Sequence, residues 1–416
     1  MATVYILYAR MRSVWRPIAT CGLGLMLALA FDQTVRLFVP PEPNVEGRPW
    51  YLQTVQYHPI LGWSGYPDFV ETNDGIRIQT NSLGYRDREP VGVEEGQKLR
   101  VLFLGDSFTW GDEVRLEERF TSLLETSCGL HCDSLPSIRA INHAIIGYGT
   151  AQSFLQYLLT REEHPFELVI LGLFAGNDLT DNAAVDSPSG PRPRLIDCDL
   201  ESAGGELCLE GVPVPPVVDW PAHRLINPRG GVARTFGWSG TIALASRRQA
   251  PRFLIENRIA NDIDGALNAL PFRIVERTSE AAIEDRIGQL EAILGALNRT
   301  IRAEGRAFGV LVFPSARVYA GEAGDELRDY REIVGVLDRL DIPFVDYYEK
   351  TKDSQWQDLF FGLHDHWRPS GHQEAANLLR PLLVALRAGE KPMGVAPPPV
   401  SLQDVSQKTN PATQSH

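Results

Sequence analysis

The chain has 416 residues, of which 44% are hydrophobic, 9% aromatic and 22% charged. This composition excludes a wholly disordered chain, a collagen-like protein and a protein with many membrane spans. Lysine and arginine total 40 against 53 aspartates and glutamates, which gives a formal net charge of −13. Such a body repels nucleic-acid phosphates, and no basic run with interleaved aromatic residues offsets this charge. We therefore expect no nucleic-acid partner.

The N-terminus has the pattern of an export signal or a membrane anchor. Three arginines precede an apolar run over residues 18–31, and Asp32 follows that run. The run is shorter than the about 20 residues that a full membrane span needs. A cleaved signal peptide and an anchor that continues through residues 35–39 both fit, and in both cases the leading arginines place the N-terminus in the cytoplasm. We therefore expect residues 1–39 to be a signal peptide or single anchor, with the body in the periplasm or cell envelope.

Cysteine usage agrees with export. Of the five cysteines, one lies in the apolar run and four lie beyond it, which allows three pairings. Cys198 and Cys208 bracket a glycine-rich turn and could close a hairpin. Cys128 and Cys132 flank the end of a predicted helix, where a bridge is geometrically demanding. Four unpaired thiols fit the sequence equally well, so the pairing stays open.

Strands and helices alternate along the central part of the chain. Apolar runs predict strands over 100–104, 138–142, 168–174, 308–313 and 342–345. Helical spacing of apolar residues predicts helices over 117–125, 151–159, 279–304, 326–340 and 371–386. Continuous apolar strands are typical of a parallel sheet that is buried on both faces. The pattern predicts an α/β fold, a doubly wound core of three layers around a central parallel sheet.

The segments before, within and after this core differ from it in composition and periodicity. Periodicity is lost over about 183–277, which is rich in proline, glycine and arginine, and we expect an irregular inserted cap there. The tail contains three consecutive prolines and polar residues, which favours disorder. The predicted organisation is the signal or anchor, an extended N-terminal region over 40–97, the core domain over 98–390 with its insert, and a disordered tail over 391–416.

The turn after the first core strand carries a candidate nucleophile. Gly105-Asp106-Ser107 follows Leu104, and glycine lets the chain turn sharply there. Ser107 would then stand at the start of the next helix, where free amides and the helix dipole favour a developing oxyanion. The alternative is that Asp106 or Ser107 only caps the helix.

Two further strand ends carry residues that could bind the same oxygen. Gly147 lies in the turn after the second strand, and its amide could face a substrate oxygen. Asn177 follows the third strand and could aim its side-chain NH₂ at that oxygen. A tight turn explains the glycine equally well, and an Asx-turn or a helix cap explains the asparagine.

A histidine cluster precedes the last helix. Histidine is the natural base for a serine hydroxyl, and a carboxylate is needed to orient it. The residues of this cluster are also possible metal ligands, and a purely structural role would explain the cluster as well. The cluster consists of His364, Asp365, His366 and His372.

The order Ser, Gly, Asn and His, each after a strand of one predicted sheet, resembles the SGNH subfamily of GDSL-type hydrolases. The resemblance covers about residues 80–390 and includes the flank over 81–87. The motifs that carry it are Gly105-Asp106-Ser107, Asn142 with Gly147, Gly176-Asn177-Asp178, and His366 with Gly371-His372. It implies a flavodoxin-like SGNH hydrolase fold with Ser107 as nucleophile and His366 as base. It also implies an oxyanion hole made by the Ser107 amide, the Gly147 amide and the Asn177 side chain.

One position departs from the family pattern. The family places an orienting aspartate two or three residues before the histidine, where this chain has His364 and Leu363. Asp365 is the nearest acid, but neighbouring residues of an extended segment point to opposite faces, so its contact with His366 requires a turn. A backbone carbonyl or a distant carboxylate such as Asp346 could orient His366 instead, and His364 could itself be the base.

These features predict an extracytoplasmic serine esterase that needs neither cofactor nor metal. Its expected substrate is an acetyl or other short acyl ester on an envelope carbohydrate, and its expected membrane contact is the N-terminal segment if uncleaved. One alternative is an O-acyltransferase that uses the same serine with a sugar hydroxyl in place of water. Two more are a carbohydrate-binding or assembly protein on a degenerate hydrolase scaffold, and a metal-dependent hydrolase built on the histidines.

Overall fold

A computed structural model describes most of the core domain and the segment before it. The described residues are 53–90, 98–131, 137–186, 190–198, 206–215, 263–276 and 283–389, without the side chains of 127–131 and 264. The predicted signal or anchor, Cys132 and the predicted disordered tail lie outside these residues. Within the described part, no helix is both long and apolar enough to cross a membrane.

Two antiparallel hairpins precede the core. The first joins β1 (Val55–His58) to β2 (Gly62–Gly65), and the second joins β3 (Val70–Asn73) to β4 (Ile76–Gln79). The tip of the first is set by His58, whose Nδ1 accepts the backbone amides of Ile60 and Leu61 at 3.1 Å. These hairpins lie in the stretch that the sequence predicts to be extended and rich in turns.

The core is a five-stranded sheet in which every pairing is parallel. Its strands are β5 (Leu99–Leu104), β6 (Ile138–Asn142), β7 (Leu168–Phe174), β11 (Ala307–Phe313) and β12 (Phe344–Asp346). The spatial order is β12-β11-β7-β5-β6. After β6 the chain crosses to the other side of β5, so the order reverses between β5 and β7, and ligands bind at such switch points at the carboxyl ends of strands.

Side chains of the sheet alternate between two apolar layers. In β5, Leu102 and Leu104 belong to one buried cluster, whereas Val101 and Phe103 belong to the other. Helices α3 (Thr150–Thr160), α6 (Arg286–Ala303) and α8 (Gly324–Arg339) pack on the first face. Helices α2 (Phe120–His131) and α11 (Pro369–Ala388) pack on the second. The three-layer α/β fold predicted from the sequence is confirmed.

Several shorter helices complete the core. They are α1 (Ser107–Trp110), α4 (Asp178–Ala183), α7 (Ala316–Tyr319), α9 (Tyr347–Thr351) and α10 (Trp356–Leu359). The predicted helix over 117–125 is divided into a 3-10 turn, Leu116–Glu118, and α2. The break falls at Arg119, whose backbone is extended and whose buried guanidinium donates to the carbonyls of Arg86 and Trp110.

Part of the predicted insert forms a small sheet beside the core. Strands β8 (Arg194–Asp197) and β9 (Leu207–Glu210) are antiparallel, and β10 (Arg273–Val275) joins β9 in parallel. A disulfide between Cys198 and Cys208 closes the β8–β9 hairpin, which is one of the pairings left open by the sequence. Helix α5 (Ile263–Asn268) precedes β10. The rest of the insert, and any pairing of Cys128 with Cys132, lie outside what the structure describes.

Candidate active site

Ser107 stands at the first position of α1, directly after the turn that follows β5. Gly105 has φ of 145°, and a Cβ there would lie 2.5 Å from Thr109 Oγ1 and 2.9 Å from the Gly172 carbonyl oxygen. Glycine is therefore required for the chain to turn between β5 and α1. Ser107 is partly exposed, whereas residues 101–106 and 108–112 around it are buried.

Asp106 caps this short helix, so Ser107 is not needed as the cap. The Asp106 carboxylate accepts the amide of Phe108 at 3.0 Å. Burial raises the pKa of Asp106 to about 7, although the nearby His366 lowers it in part. The capping role that the sequence left open between the two residues belongs to Asp106, and the Ser107 hydroxyl is left for another partner.

That partner is His366. Its Nε2 lies 2.8 Å from Ser107 Oγ, although 259 positions separate the two residues in the chain. The imidazole is held by the segment around it, where the Phe361 amide donates to the His366 carbonyl at 3.0 Å. The next residue, Trp367, is fully buried and packs on Phe108 and Phe313 with ring centroids 5.2 and 4.4 Å away.

The other ring nitrogen of His366 faces two carboxylates on the loop after α1. Nδ1 lies 3.5 Å from Glu113 Oε2 and 3.8 Å from Asp112 Oδ2. Glu113 Oε2 also accepts the backbone amide of His366 at 3.2 Å. Glu113 has φ of 63°, a conformation that costs energy for a residue other than glycine and is found at functional sites. The loop is thus shaped to bring this carboxylate to the imidazole.

Asp365 does not make the expected contact with His366. Its side chain is exposed and lies against Gly362, and its amide donates to the Gly362 carbonyl at 3.3 Å. In the described part of the chain, the carboxylates within 4 Å of the imidazole belong to Asp112 and Glu113. The assignment of Asp365 as the orienting acid is therefore corrected, since adjacent residues of this extended segment point apart.

Asp346 and His364 are also placed away from this pair. Asp346 accepts the hydroxyl of Tyr330 at 2.5 Å and the amide of Glu349 at 2.8 Å, as the cap of α9, so it does not orient His366. His364 is exposed, whereas His366 is the histidine that contacts Ser107 and can act as its base.

The surroundings of His366 favour its protonated form. Burial by itself would lower the pKa of His366, but the hydrogen bond with Glu113 and the charges of Asp112, Glu113 and Asp106 raise it above its usual value. The same interaction with His366 lowers the pKa of Glu113, whereas burial raises that of Asp112. Glu113 is therefore the more fully ionised of the two acids.

The acid-bearing loop is held by a buried arginine. Arg86 donates to the carbonyls of Gly111 and Val114, the second at 2.6 Å, and its guanidinium lies 4.6 Å over the ring of Trp110. Burial, with the charge of Arg119 added, lowers the pKa of Arg86 to about 9, so it stays charged at neutral pH. These bonds clamp both ends of the segment that presents Asp112 and Glu113.

Arg86→Met is expected to lower the free energy of unfolding by about 2–4 kcal/mol, because two buried carbonyl oxygens lose their donor. Equilibrium unfolding in urea, followed by circular dichroism, measures this change. Arg77→Met on β4 is the matched control, since Arg77 is exposed and a surface change is expected to stay within about 0.5 kcal/mol. Equal effects of the two substitutions would contradict the clamp.

The candidate oxyanion donors lie at the same edge of the sheet. The turn that contains Gly147 is tied to the nucleophile turn, because the Ile145 amide donates to the Gly105 carbonyl at 3.1 Å. Gly147 has φ of 75°, in the region that favours glycine. Among the described residues, the amides of Ser107 and Gly147 have no acceptor, so both are available to a ligand oxygen.

Asn177 occupies the N-cap position directly before α4, but its side chain makes no capping hydrogen bond. Its side-chain oxygen is buried without a partner among the described residues. The neighbouring Asp178 fixes the backbone instead, since its carboxylate accepts the amide of Phe174 at 2.8 Å and the hydroxyl of Thr150 at 2.7 Å. The Asn177 side chain is thus not consumed by a cap, and its NH₂ group is left for a ligand oxygen.

Two motif residues have structural roles. Asn142 donates to the Thr109 carbonyl at 2.7 Å and accepts the Ala144 amide at 2.9 Å, so it joins β6 to the nucleophile helix. His372 is buried, and its Nδ1 accepts the Phe120 amide at 3.4 Å. Within the described residues, the four members of the histidine cluster do not converge on one metal position.

The structure therefore brings Ser107 and His366 into contact and sets Gly147 and Asn177 at neighbouring strand ends. Sequence reasoning missed Asp112 and Glu113. The signal that could have indicated these two acids is their position directly after Gly111. This glycine ends α1 in a left-handed conformation, on the same side of the sheet as Ser107. Nothing in the sequence links them to a histidine more than 250 positions away.

No protein-family model matches the chain, and no curated protein matches it. Solved structures similar to it include that of TesA, with a TM-score of 0.36, 14% identity, and coverage of 69% of this chain and 99% of that one. A variant of Axe2, an acetyl xylan esterase from Geobacillus stearothermophilus, has a TM-score of 0.35, 14% identity, and coverage of 70% and 96%. The lipase/acylhydrolase from Enterococcus faecalis has a TM-score of 0.36, 12% identity, and coverage of 69% and 96%. Similarity at this level carries no argument about function, which rests on the residues of this chain.

Proposed function

We propose that this protein is a serine esterase that hydrolyses acyl esters through an acyl-serine intermediate. The observation that carries the proposal is the 2.8 Å contact between Ser107 Oγ and His366 Nε2, at a helix start whose amide is free. This is the arrangement of a nucleophile and its base, and Glu113 supplies the third member that orients the base.

In the first half of the reaction, Ser107 Oγ attacks the ester carbonyl carbon while its proton passes to His366 Nε2. The imidazolium that forms is stabilised by Glu113 and Asp112 on the Nδ1 side. When the tetrahedral intermediate collapses, the carbon–oxygen bond to the alcohol breaks and His366 returns the proton to the leaving oxygen. Water then attacks the acyl-serine with the same base, which releases the acid and restores Ser107.

The negative charge on the carbonyl oxygen needs donors that are already in place. The Ser107 and Gly147 amides and the Asn177 side chain are free to serve this role. Donors fixed by the fold need no reorganisation when the charge develops, which makes them effective in a partly buried site.

The proposed substrate is an acetyl or other short acyl ester on an envelope carbohydrate. Support for it comes from the N-terminal segment, whose arginines and apolar run predict export of the body, and from the family that the motifs resemble. Under this proposal the protein acts in the periplasm or cell envelope, either released or held by one N-terminal segment.

The proposal is tested with the purified full chain and p-nitrophenyl acetate, together with a fluorophosphonate probe and peptide mapping. We expect release of p-nitrophenol and probe attached to Ser107. Acyl transfer that occurs only when a carbohydrate acceptor is added would identify an acyltransferase instead. A chain that neither reacts with the probe nor turns over ester in the presence of acceptors would refute serine catalysis.

Asn177→Ala is expected to lower kcat by about 10²–10³-fold with little change in KM, because the side chain acts on charge that develops only in the transition state. Steady-state kinetics on the ester measures the split between the two constants. Asn377→Ala, on the exposed side of α11, is the matched control and should leave both unchanged. A rise in KM alone would show that Asn177 binds the ground state and the transition state equally.

A further inference from the structure

A second cluster of polar side chains lies apart from the Ser107–His366 pair. His143 follows β6, and Glu163 and His164 lie just after the end of α3. One ligand atom from each of the three residues lies within 4.8 Å of the other two. The two imidazole rings are nearly perpendicular, with centroids 5.9 Å apart. Neither the catalytic proposal nor the motifs of the sequence use this cluster.

The contacts of His143 fix the orientation of its ring and its tautomer. Its ring stacks on Tyr85 with centroids 3.9 Å apart, and its Nδ1 lies 3.3 Å from Thr160 Oγ1. Thr160 gives its hydroxyl hydrogen to the Gln156 carbonyl, so its oxygen accepts from Nδ1–H. The lone pair of the neutral ring is then on Nε2. A second hydrogen bond that fixes the tautomer and the ring is the usual support of a metal-binding histidine.

We propose that His143, Glu163 and His164 form a binding site for a zinc ion. Two imidazoles and one carboxylate are a ligand set that zinc favours, with water completing a tetrahedron. Tetrahedral zinc requires ligand atoms about 3.3 Å apart, so ligand atoms that lie within 4.8 Å of one another must close by up to about 1.5 Å. Glu163 is exposed and His164 is half-buried, whereas His143 is buried and its ring is held by Tyr85 and Thr160.

The charges around the cluster permit a cation. Burial, followed by the neighbouring His164 and Arg139, lowers the pKa of His143. The positive charge of Arg139 would repel a bound metal ion. This arginine is paired, however, with Glu125 at 2.9 Å and with Asp87 at 3.6 Å. Glu163 adds a negative charge on the solvent side.

The proposed zinc site lies beside the turn that contains Gly147, and this position determines what a bound ion would stabilise. His143 is four residues before Gly147, and its backbone amide donates to the Phe103 carbonyl of β5 at 2.9 Å. An ion bound by these residues joins the start of the turn that contains Gly147 to the end of α3. It therefore stabilises the fold around that turn. It has no contact with Ser107, and the site is independent of the esterase proposal.

The test uses the full chain after treatment with EDTA and dialysis. Zinc is added in an isothermal titration, Co²⁺ is added separately for its visible absorption spectrum, and thermal unfolding is followed with and without zinc. We expect one zinc bound by these residues and a tetrahedral cobalt spectrum. Free zinc at 100 times Kd should lower the equilibrium constant for unfolding about 100-fold.

His164→Ala and Glu163→Gln should weaken or abolish these signals, and both change residues that reach solvent, so folding is expected to persist. The matched controls are Glu162→Gln, since the Glu162 side chain is 88% exposed, and the exposed His364→Ala; both should behave as the unmodified chain. Absence of stoichiometric binding would overturn the proposal. Binding that survives His164→Ala, or that is lost with His364→Ala, would overturn it as well.

Discussion

Ser107→Ala is expected to lower kcat for ester hydrolysis by roughly 10⁴–10⁶-fold while KM changes little. The reason is that the acyl-enzyme cannot form without Oγ, whereas the oxyanion donors are unchanged. Steady-state kinetics with p-nitrophenyl acetate measures the loss, and labelling by a fluorophosphonate probe should vanish in parallel. The remaining rate is the part that positioning and oxyanion binding supply without covalent chemistry.

Ser354→Ala is the control for this experiment, because Ser354 is exposed beyond the end of α9. It should retain full activity and full labelling. Unchanged turnover by the Ser107→Ala protein would exclude catalysis by Ser107. It would favour a hydrolytic centre built on the histidines instead.

Glu113→Gln is expected to reduce kcat/KM by about 10²–10⁴-fold and also to move the pH profile. In the unmodified protein the carboxylates hold the pKa of His366 above its usual value, so the acidic limb of kcat/KM lies above about pH 6.5. Removal of the Glu113 charge destabilises the imidazolium, lowers the pKa of His366, and shifts this limb to lower pH. The plateau falls because the imidazolium formed in the reaction loses its main partner.

Asp365→Asn is the control that separates the two candidate acids. Its carboxylate is exposed and turned toward Gly362, so neither the plateau nor the acidic limb should change. Asp112→Asn should give a smaller effect than Glu113→Gln, because Asp112 lies farther from Nδ1 and burial raises its pKa. If Asp365→Asn abolished activity while Glu113→Gln did not, the arrangement around Nδ1 would be wrong.

The core elements follow from local sequence to a large extent. The predicted strands over 138–142 and 168–174 have the observed bounds, and the second is a continuous apolar run that ends where Ala-Gly-Asn-Asp begins. The sequence predicts the bounds of an element less well where a contact with a distant residue determines the backbone conformation. The break at Arg119 depends on the carbonyls of Arg86 and Trp110, and the last strand begins at Phe344 rather than Ile342. Pro343 has no amide to donate to a neighbouring strand.

The candidate site also has residues that the sequence predicts and a contact that depends on distant parts of the chain. Ser107, Gly147, Asn177 and His366 were predicted because each stands at a strand end or before a helix, and a parallel sheet collects such positions at one edge. The sequence does not predict the contact of His366 with Glu113, and it favours Asp365 instead because that residue is adjacent to His366. Adjacency in an extended segment separates side chains, whereas a clamped loop from the other end of the domain can approach the imidazole.

The sequence by itself determined the α/β alternation, the parallel sheet and the residues able to act as nucleophile, base and oxyanion donors, because these depend on hydrophobic period and on which residue follows each strand. Only the tertiary structure decided which carboxylate faces His366, that Asn177 is not spent on capping, and that His143 meets Glu163 and His164. Those outcomes depend on distances between segments that are far apart in the chain. Such distances are set by packing of the whole core and leave no local pattern in the sequence.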